Sequence, residues 1–338
     1  MAFERRREFL FLYSVRDANP NGDPLNGNAP RKDEETGQIL VSDVRIKRTV
    51  RDQWIREGGK NVFVDGKAVT LNKRVDELKR QLDKKLKNNK SGDSIKDIIN
   101  SCIDARLFGV TCTIKEEKAS GKSKKNKAAE NMENAEENVS SKGKSFSWCG
   151  PVQFKWGRSL HRVREQFVQG TAAFATEGKE QRSFRNEYIV PFCVIASYAI
   201  ANQHASKDSG ATEEDLNDLV DTLWKGTENL ISRSKVGHTP LLLLEITYRE
   251  EFDGLIGALD ERVSLKTLDC KTLDENAQYA LRSLDSVLLD IALLLKAVES
   301  KKDNIDQLRL IHNGQLNISG KDELKNILGE ERVKEETR

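Results

Sequence analysis

At 338 residues the chain can form one large domain with insertions or two modest ones. A hydrophobic share of 37% beside a charged share of 33% describes a globular but heavily solvated chain, part of it unpacked. Fifty-six Lys and Arg against 54 Asp and Glu leave a net charge of +2, so any cationic binding surface must be local. The five cysteines (Cys102, Cys112, Cys149, Cys193, Cys270) are scattered without C-x-x-C or a nearby His pair, which supports neither zinc nor a disulfide framework, and no cofactor is expected. Arg5-Arg6-Arg7 leads into a strand-like alternation, not a signal-peptide core. The most apolar run, 287–298, is broken by Asp290 and too short to span a bilayer. A soluble, cytoplasmic protein without membrane contact is expected.

In chain order, residues 7–16 alternate with Phe9, Phe11, Tyr13 and Val15 on one face and Leu10 and Leu12 on the other, a central strand covered on both sides. The loop Asn19-Pro20-Asn21-Gly22-Asp23-Pro24, with Asn26-Gly27 and Pro30 after it, is stiff and rich in turns. Ser42 or Asp43 then caps a helix to about Glu57, stopped by Gly58-Gly59. Its apolar stripe is Ile46, Val50 and Trp54, and Arg45, Lys47, Arg48 and Arg51 form the neighbouring arc.

Residues 71–100 read as lysine-rich helix and 94–107 as a second short one. Residues 115–145, nearly devoid of apolar side chains, read as a flexible insert. Strand alternation resumes at Val152, Phe154 and Trp156, and 165–188 holds two arms around a 176–180 tip, a protruding hairpin. A helical run is expected from Pro191 to about Asn202 (Phe192, Ile195, Ala196, Tyr198, Ala199). Thr212-Glu213-Glu214-Asp215 is a capping box opening a helix that Gly226 should end. A buried strand over 239–249, a long amphipathic helix over 279–300, a late strand at 308–311 and a fraying charged tail at 329–338 complete the reading. The fold class is α+β, a sheet with helices on one face and large excursions.

The loop before the first helix is neither G-x-G-x-x-G nor a P-loop, and no P-loop lysine follows, which argues against a nucleotide site. His161, His204, His238 and His312 are dispersed, and no nucleophile elbow appears. Asp17 and Asp23 share a loop and could bind a metal for phosphodiester cleavage, although bracing the turn is their more ordinary role. Residues 151–190 carry seven cations against four acids, and 201–229 two against seven. Arginines interleaved with Phe108, Trp156, Phe174 and Phe184 suit a single-stranded nucleic acid, with cations tracking the backbone and aromatics meeting bases.

Five colinear pieces carry a resemblance: Leu12-Tyr13-Ser14-Val15-Arg16-Asp17-Ala18-Asn19-Pro20-Asn21-Gly22-Asp23-Pro24, Ser42 through Arg51, Asp104-Ala105-Arg106-Leu107-Phe108-Gly109, Gly150-Pro151-Val152-Gln153 and Arg158-Ser159-Leu160. Over roughly 5–250 the chain resembles the backbone, CRISPR RNA-binding subunit of type I CRISPR Cascade complexes, in the subtype I-B/I-C branch of the RAMP superfamily. The resemblance implies an RNA-recognition-motif-like (ferredoxin-like) palm at 1–59, 146–161 and 191–328, helical fingers at 60–145 and a thumb hairpin at 162–190. It implies a non-catalytic subunit stacked on copies of itself along CRISPR RNA, with target DNA and other Cascade subunits as partners.

RNA contacts would then fall at Asn21, Arg31, Ser42, Lys47, Arg48, Arg51, Arg106, Phe108, Gln153, Arg158, His161, Arg162 and Arg164. Phe174, Arg182 and Arg185 would serve the thumb, with Phe174 as the wedge between bases. The alternatives are a metal-dependent ribonuclease centred on Asp17 and Asp23, as in type III relatives, and a generic α+β interaction domain.

Overall fold

The computed structural model describes residues 1–67, 70–85, 94–114, 144–175 and 182–338, with the backbone alone at 84–85, 114, 144, 171–175 and 182–185. The insert expected at 115–145, apart from its last two residues, and the 176–180 hairpin tip lie outside the described residues.

Burial on both faces puts β1 (Arg7–Ala18) at the centre: Phe9, Phe11, Tyr13 and Val15 enter one core, Leu10 and Leu12 another. The following loop holds a small ladder, β2 (Gly22–Asp23) with β3 (Ala29–Pro30), and leads to β4 (Gln38–Val41). Ser42 caps α1 (Asp43–Glu57) by accepting from the Arg45 N–H, and Gly58 ends it at φ 72. Both ends agree with the sequence.

After α2 (Leu71–Lys85), the helix expected over 94–107 is two, α3 (Ile95–Asn100) and α4 (Ile103–Phe108), parted at Ser101 and Cys102. The antiparallel pair β5 (Gly109–Ile114) and β6 (Lys144–Cys149) closes this excursion, which has its own small core around Val75, Leu78, Ile98, Ile99 and Cys102. Gly109 and Gly150 meet where the chain leaves and rejoins the main sheet: a Cβ on Gly150 would stand 2.1 Å from the Phe108 carbonyl carbon.

β7 (Val152–Phe154) and β8 (Gly157–Arg162) precede the hairpin of β9 (Gln166–Ala175) and β10 (Arg182–Ala201), whose register runs from Ile189↔Gln166 to Arg182↔Ala175. The helix expected after Pro191 is instead the rest of β10, paired with β1 as far as Arg7↔Ala201. Cys193, Ile195 and Ala199 enter one core while Phe192, Val194, Ala196 and Tyr198 enter the other. Such a two-sided apolar run has no periodicity to separate strand from helix. The ladder steps from Ala18↔Val190 to Arg16↔Phe192 past Pro191, which has no N–H to give, and Asp17 lies across the gap at φ 49.

α5 (Gln203–Ser209) and α6 (Glu213–Glu228) follow, α6 opened by the expected Thr212/Asp215 capping box. Gly226 does not end α6. It lies within the helix against α1, where a Cβ would stand 3.0 Å from the Thr49 carbonyl oxygen. The chain finishes with β11 (His238–Tyr248), β12 (Ser264–Thr267), α7 (Glu275–Ala280), β13 (Val287–Asp290), α8 (Ala292–Ser300), β14 (Ile305–His312), β15 (Asn317–Ser319), α9 (Glu323–Leu328) and β16 (Val333–Thr337).

The long helix expected over 279–300 is therefore the end of α7, a turn, β13 and α8. Of the residues that suggested it, Leu281, Ile291, Leu295 and Val298 enter one core and Leu284 packs against it, but they come from the end of α7, the turn after it and α8, while Leu288 lies on β13, so their spacing only imitates a helix. The tail expected to fray is partly β16, parallel to β14, with Val333 buried and Glu335 held by His312, Lys321 and Lys325.

The main sheet runs β16-β14-β11-β1-β10-β8-β4, with β7 and β9 also on β10. α1 and α6 cover one face; the small sheet β12-β13-β15 with α8 and α9 covers the other. Helices thus lie on both faces, not one. At the centre, fully buried Glu8 accepts from the Tyr198 and Tyr248 hydroxyls and from the Ile256 and Gly257 N–H groups, both at 2.8 Å. Among the described residues no helix is long and apolar enough to cross a membrane.

Candidate nucleic-acid interface

The first loop is fastened to the start of α1. Asn21 Oδ1 accepts from the Ser42 N–H at 2.8 Å and from the Ser42 hydroxyl at 2.9 Å, and the Arg31 N–H donates to the Asn21 carbonyl at 2.9 Å. Arg31 lies 3.2 Å from Asp23, whose carboxylate also accepts from the Leu25 N–H. Asp23 thus braces its turn, and Asp17 is exposed at the bend in β1. Among the described residues no three His, Cys, Asp or Glu are arranged to hold a metal ion.

One turn into α1, Lys47 Nζ is 3.2 Å from Asp43, 3.4 Å from Gln153 Oε1 and 5.6 Å from the centre of the Phe108 ring. Arg51 lies over the same ring at 5.2 Å and donates from Nε to Asp104 at 2.8 Å. Asp104 is itself buried and accepts from the Phe63 and Val64 N–H groups, so this pair ties α1 to the excursion. Arg48 pairs with Asp52. The fold therefore brings Asn21, Arg31 and Ser42 into one group, and Lys47, Arg51, Phe108 and Gln153 into a second on the same helix.

Two expected contacts have structural work instead. Phe108 is 8% exposed and packs between Trp54 at 5.9 Å and Phe154 at 6.3 Å, so its ring offers no open face to a base. Arg106 grips Asp215 through two bonds of 2.9 and 2.6 Å, bracing α4 on the capping box of α6. Burial opposes the Arg106 charge, but the Asp215 carboxylate outweighs it and holds the guanidinium protonated.

On β8 the burial pattern alternates, with Arg158 and Arg162 on the open side, bound to Asp33 at 2.8 Å and Glu275 at 3.0 Å. Arg158 holds the Asp33 carboxyl below its ordinary range. Arg164 stacks 4.3 Å from the centre of the Tyr279 ring. His161 points inward, stacked on Phe192, with Nδ1 2.9 Å from the Arg162 carbonyl; burial lowers its pKa and keeps it neutral. It is a core histidine, not an RNA contact, because it falls on the inward register of its strand.

The side chains of Phe174, Arg182 and Arg185 lie outside the described residues, although their backbone belongs to the hairpin. Nearer its base, Phe167 is 53% exposed and meets Tyr188 across the ladder at 5.1 Å. Sequence reasoning passed over this pair. It also passed over loop 230–237, where Lys235 Nζ donates to the Asn19 carbonyl at 2.6 Å and Arg233 pairs with Glu187 at 2.8 Å. Its signal was Arg233 and Lys235 in a Ser/Gly loop with no acid.

Fold and site together define a mixed α/β protein with a large sheet and several helices. A helical excursion and a hairpin project from the sheet, and cations line a loop, a helix and a strand near the base of both. The family described as CRISPR-associated protein Cas7 matches residues 5–291, and the chain belongs to that family, as its motifs anticipated. A CRISPR-associated protein Cas7 from Haloferax volcanii is 28% identical over 326 residues, 94% of this chain and 90% of the relative. Two solved chains are similar over most of their length. One, from a "CRISPR RNA-guided surveillance complex, pre-nicking", has a TM-score of 0.45 at 12% identity, covering 93% of this chain and 95% of that one. The other, from a "CRISPR RNA-guided surveillance complex", has 0.39 at 12%, covering 90% and 88%.

Proposed function

We propose that this chain is a backbone subunit of a CRISPR RNA-guided surveillance complex. It binds CRISPR RNA, stacks head-to-tail on copies of itself beside other Cascade subunits, and supports pairing of the guide with the complementary DNA strand without cutting it. Guide pairing supplies the sequence specificity, and the protein supplies shape and charge. The observation that carries this reading is family membership across 5–291.

The palm is RNA-recognition-motif-like. In support, β11-β1-β10-β8 follow the spatial order of a ferredoxin-like sheet, with α1 after the first strand and α6 between the last two. The fingers correspond to 60–145, favoured by that segment's separate core, and the thumb to 162–190.

Burial of each cation's partner sorts the RNA contacts. Asp43, Asp52, Asp33 and Glu275 have side chains 29%, 36%, 24% and 61% exposed. Pairs of this kind contribute ~0–1 kcal/mol when the cation is open too, so a phosphate can displace the carboxylate from Arg48, Arg158 or Arg162, 32%, 43% and 37% exposed; Lys47, at 10%, meets a phosphate only by turning away from Asp43 and the Phe108 ring. Asp104 and Asp215, at 1% and 8%, would be left uncompensated, at ~3–5 kcal/mol, so Arg51 Nε and Arg106 stay bound. Asn21, Arg31, Ser42, Gln153 and Arg164 complete the guide path, with Phe174, Arg182 and Arg185 on the thumb.

Co-expression with a CRISPR repeat-spacer transcript tests the reading. The expected product is a large ribonucleoprotein that protects RNA in regular steps and collapses in Lys47→Ala/Arg48→Ala. Equal RNA retention by wild type and variant, with the same salt dependence, would remove α1 from the interface. Asp23→Ala should leave bound complementary RNA as intact in Mg²⁺ as wild type does, and Mg²⁺-dependent cleavage lost in that variant would establish a ribonuclease instead.

A further inference from the structure

Lys47, Arg48, Arg51, Arg158 and Arg162 all have a carboxylate within ion-pair distance. Arg45 is different. Its Nη2 donates to the Thr49 hydroxyl at 2.9 Å, its Nε is buried without a partner, and among the described residues it forms no ion pair. Lys235, in loop 230–237, donates only to the backbone carbonyls of Asn19 and Pro20, at 2.6 and 3.3 Å, and Pro20 lines the same small void as Arg45.

The two charges act on each other. Burial and then the Arg45 charge push Lys235 down to about 8. His238, whose Nδ1 lies 2.9 Å from the Lys235 carbonyl, is pushed down to about 4 by burial and then by Lys235. The acid that bears on Arg45 is Asp52, two turns along α1 and already held by Arg48. Like charges sharing a half-buried site without a counter-charge destabilise it, and an anion relieves that.

We infer that the first turn of α1 and loop 230–237 form an anion site in which Arg45 and Lys235 hold one phosphate of a bound RNA strand. This rests on the RNA-binding reading above and adds a contact to it. The void between Arg45 and His238 is about 20 Å³, too small for a phosphate, so the group sits at its mouth against the guanidinium and the ammonium. Val44, Ile231 and Val236, from the same two segments, are 64%, 74% and 61% exposed and supply apolar surface for the adjoining sugar or base edge. Lys235 also fixes the Asn19-Pro20 backbone, so the loop that holds Asn21 on Ser42 and the anion site are braced together.

The test titrates a fluorescein-labelled single-stranded RNA with the full chain across a salt series. The set is wild type, Arg45→Gln, Lys235→Gln, the double variant, Arg45→Lys and the remote control Lys207→Gln. Loss of one phosphate contact lowers the salt slope of log K by ~0.7 on a single strand. The double variant should show that drop with roughly tenfold weaker binding, while Arg45→Lys and Lys207→Gln keep the wild-type slope. Arg45→Gln is decisive if Lys235→Gln proves unstable, because Arg45 bonds only Thr49. A wild-type slope in the Arg45→Gln and double variants overturns the site but leaves the RNA reading standing, provided Lys47→Ala/Arg48→Ala still weakens binding. No RNA binding by wild type overturns both.

Discussion

Asp104→Asn separates anchoring from RNA binding at the joint between α1 and the excursion. Asp104 Oδ1 accepts from the Phe63 N–H at 2.6 Å; Oδ2 accepts from the Val64 N–H at 3.1 Å and from Arg51 Nε at 2.8 Å. An amide keeps one oxygen. If that oxygen stays on Arg51 and Val64, its NH₂ meets the Phe63 N–H donor to donor. One buried backbone donor left unmade costs ~1–3 kcal/mol, and turning a charge-assisted bond into a neutral one costs ~1 more. The Arg51 side chain, 14% exposed, recovers part of that from solvent. The sum is about 3 kcal/mol. At ~2.1 cal/mol/K per residue, it lowers a cooperative melting temperature of 338 residues by about 4 °C. Thermal unfolding reads the loss, and amide exchange at Phe63 and Val64 localises it. The salt slope of RNA binding should not fall, because the variant keeps every cation and Arg51 Nε, held by Asp104 in the wild type, makes no phosphate contact there to lose. A melting shift under about 1 °C with unchanged protection at both amides would refute the anchoring role.

Glu8→Gln should cost about 3 kcal/mol in urea unfolding, since the two backbone donors at Ile256 and Gly257 cannot both be satisfied by one amide oxygen. Unchanged stability would mean that the turn at Ile256 and Gly257, between β11 and β12, does not depend on this carboxylate. Gly150→Ala should cost at least about 3 kcal/mol or prevent folding, because its Cβ would meet the Phe108 and Gly109 backbone at 2.1 and 2.2 Å, and a stable variant would show that the junction yields.

Lys321, Lys325 and His312, in that order, hold Glu335 at about 2. Its contribution is fully present above its unfolded value near 4.5 and is lost as pH falls from there through about 2. Discounted for lysines about a third exposed, it is about 1–2 kcal/mol. Exchange of the β16 amides should accelerate across that window, and Glu335→Gln should abolish the pH dependence.

Local signals survived into the structure wherever neighbouring residues decide the outcome. The Ser42 cap, the Gly58 stop, the Thr212 box and the two-sided burial of β1 are set by short-range hydrogen bonding and by period-two alternation, both visible in a dozen residues. The colinear motifs likewise indicated the family, and two of them, ending at Gly109 and beginning at Gly150, meet at a backbone approach that only glycine permits.

Where an apolar run is buried on both sides, as in 191–201, or where one core is reached through three elements, as in 281–298, spacing alone could not tell strand from helix. The partner strands decided. The cations were legible as a list, but their state was not. Whether an arginine is anchored, exchangeable or unpaired depends on carboxylates brought in from distant positions, as with Asp104 for Arg51 and Asp215 for Arg106. Arg45 and Lys235, 190 positions apart in the chain, became one site only when loop 230–237 closed over the first loop. Sequence determined which groups could carry charge, and the tertiary fold decided which of those charges were left without a partner.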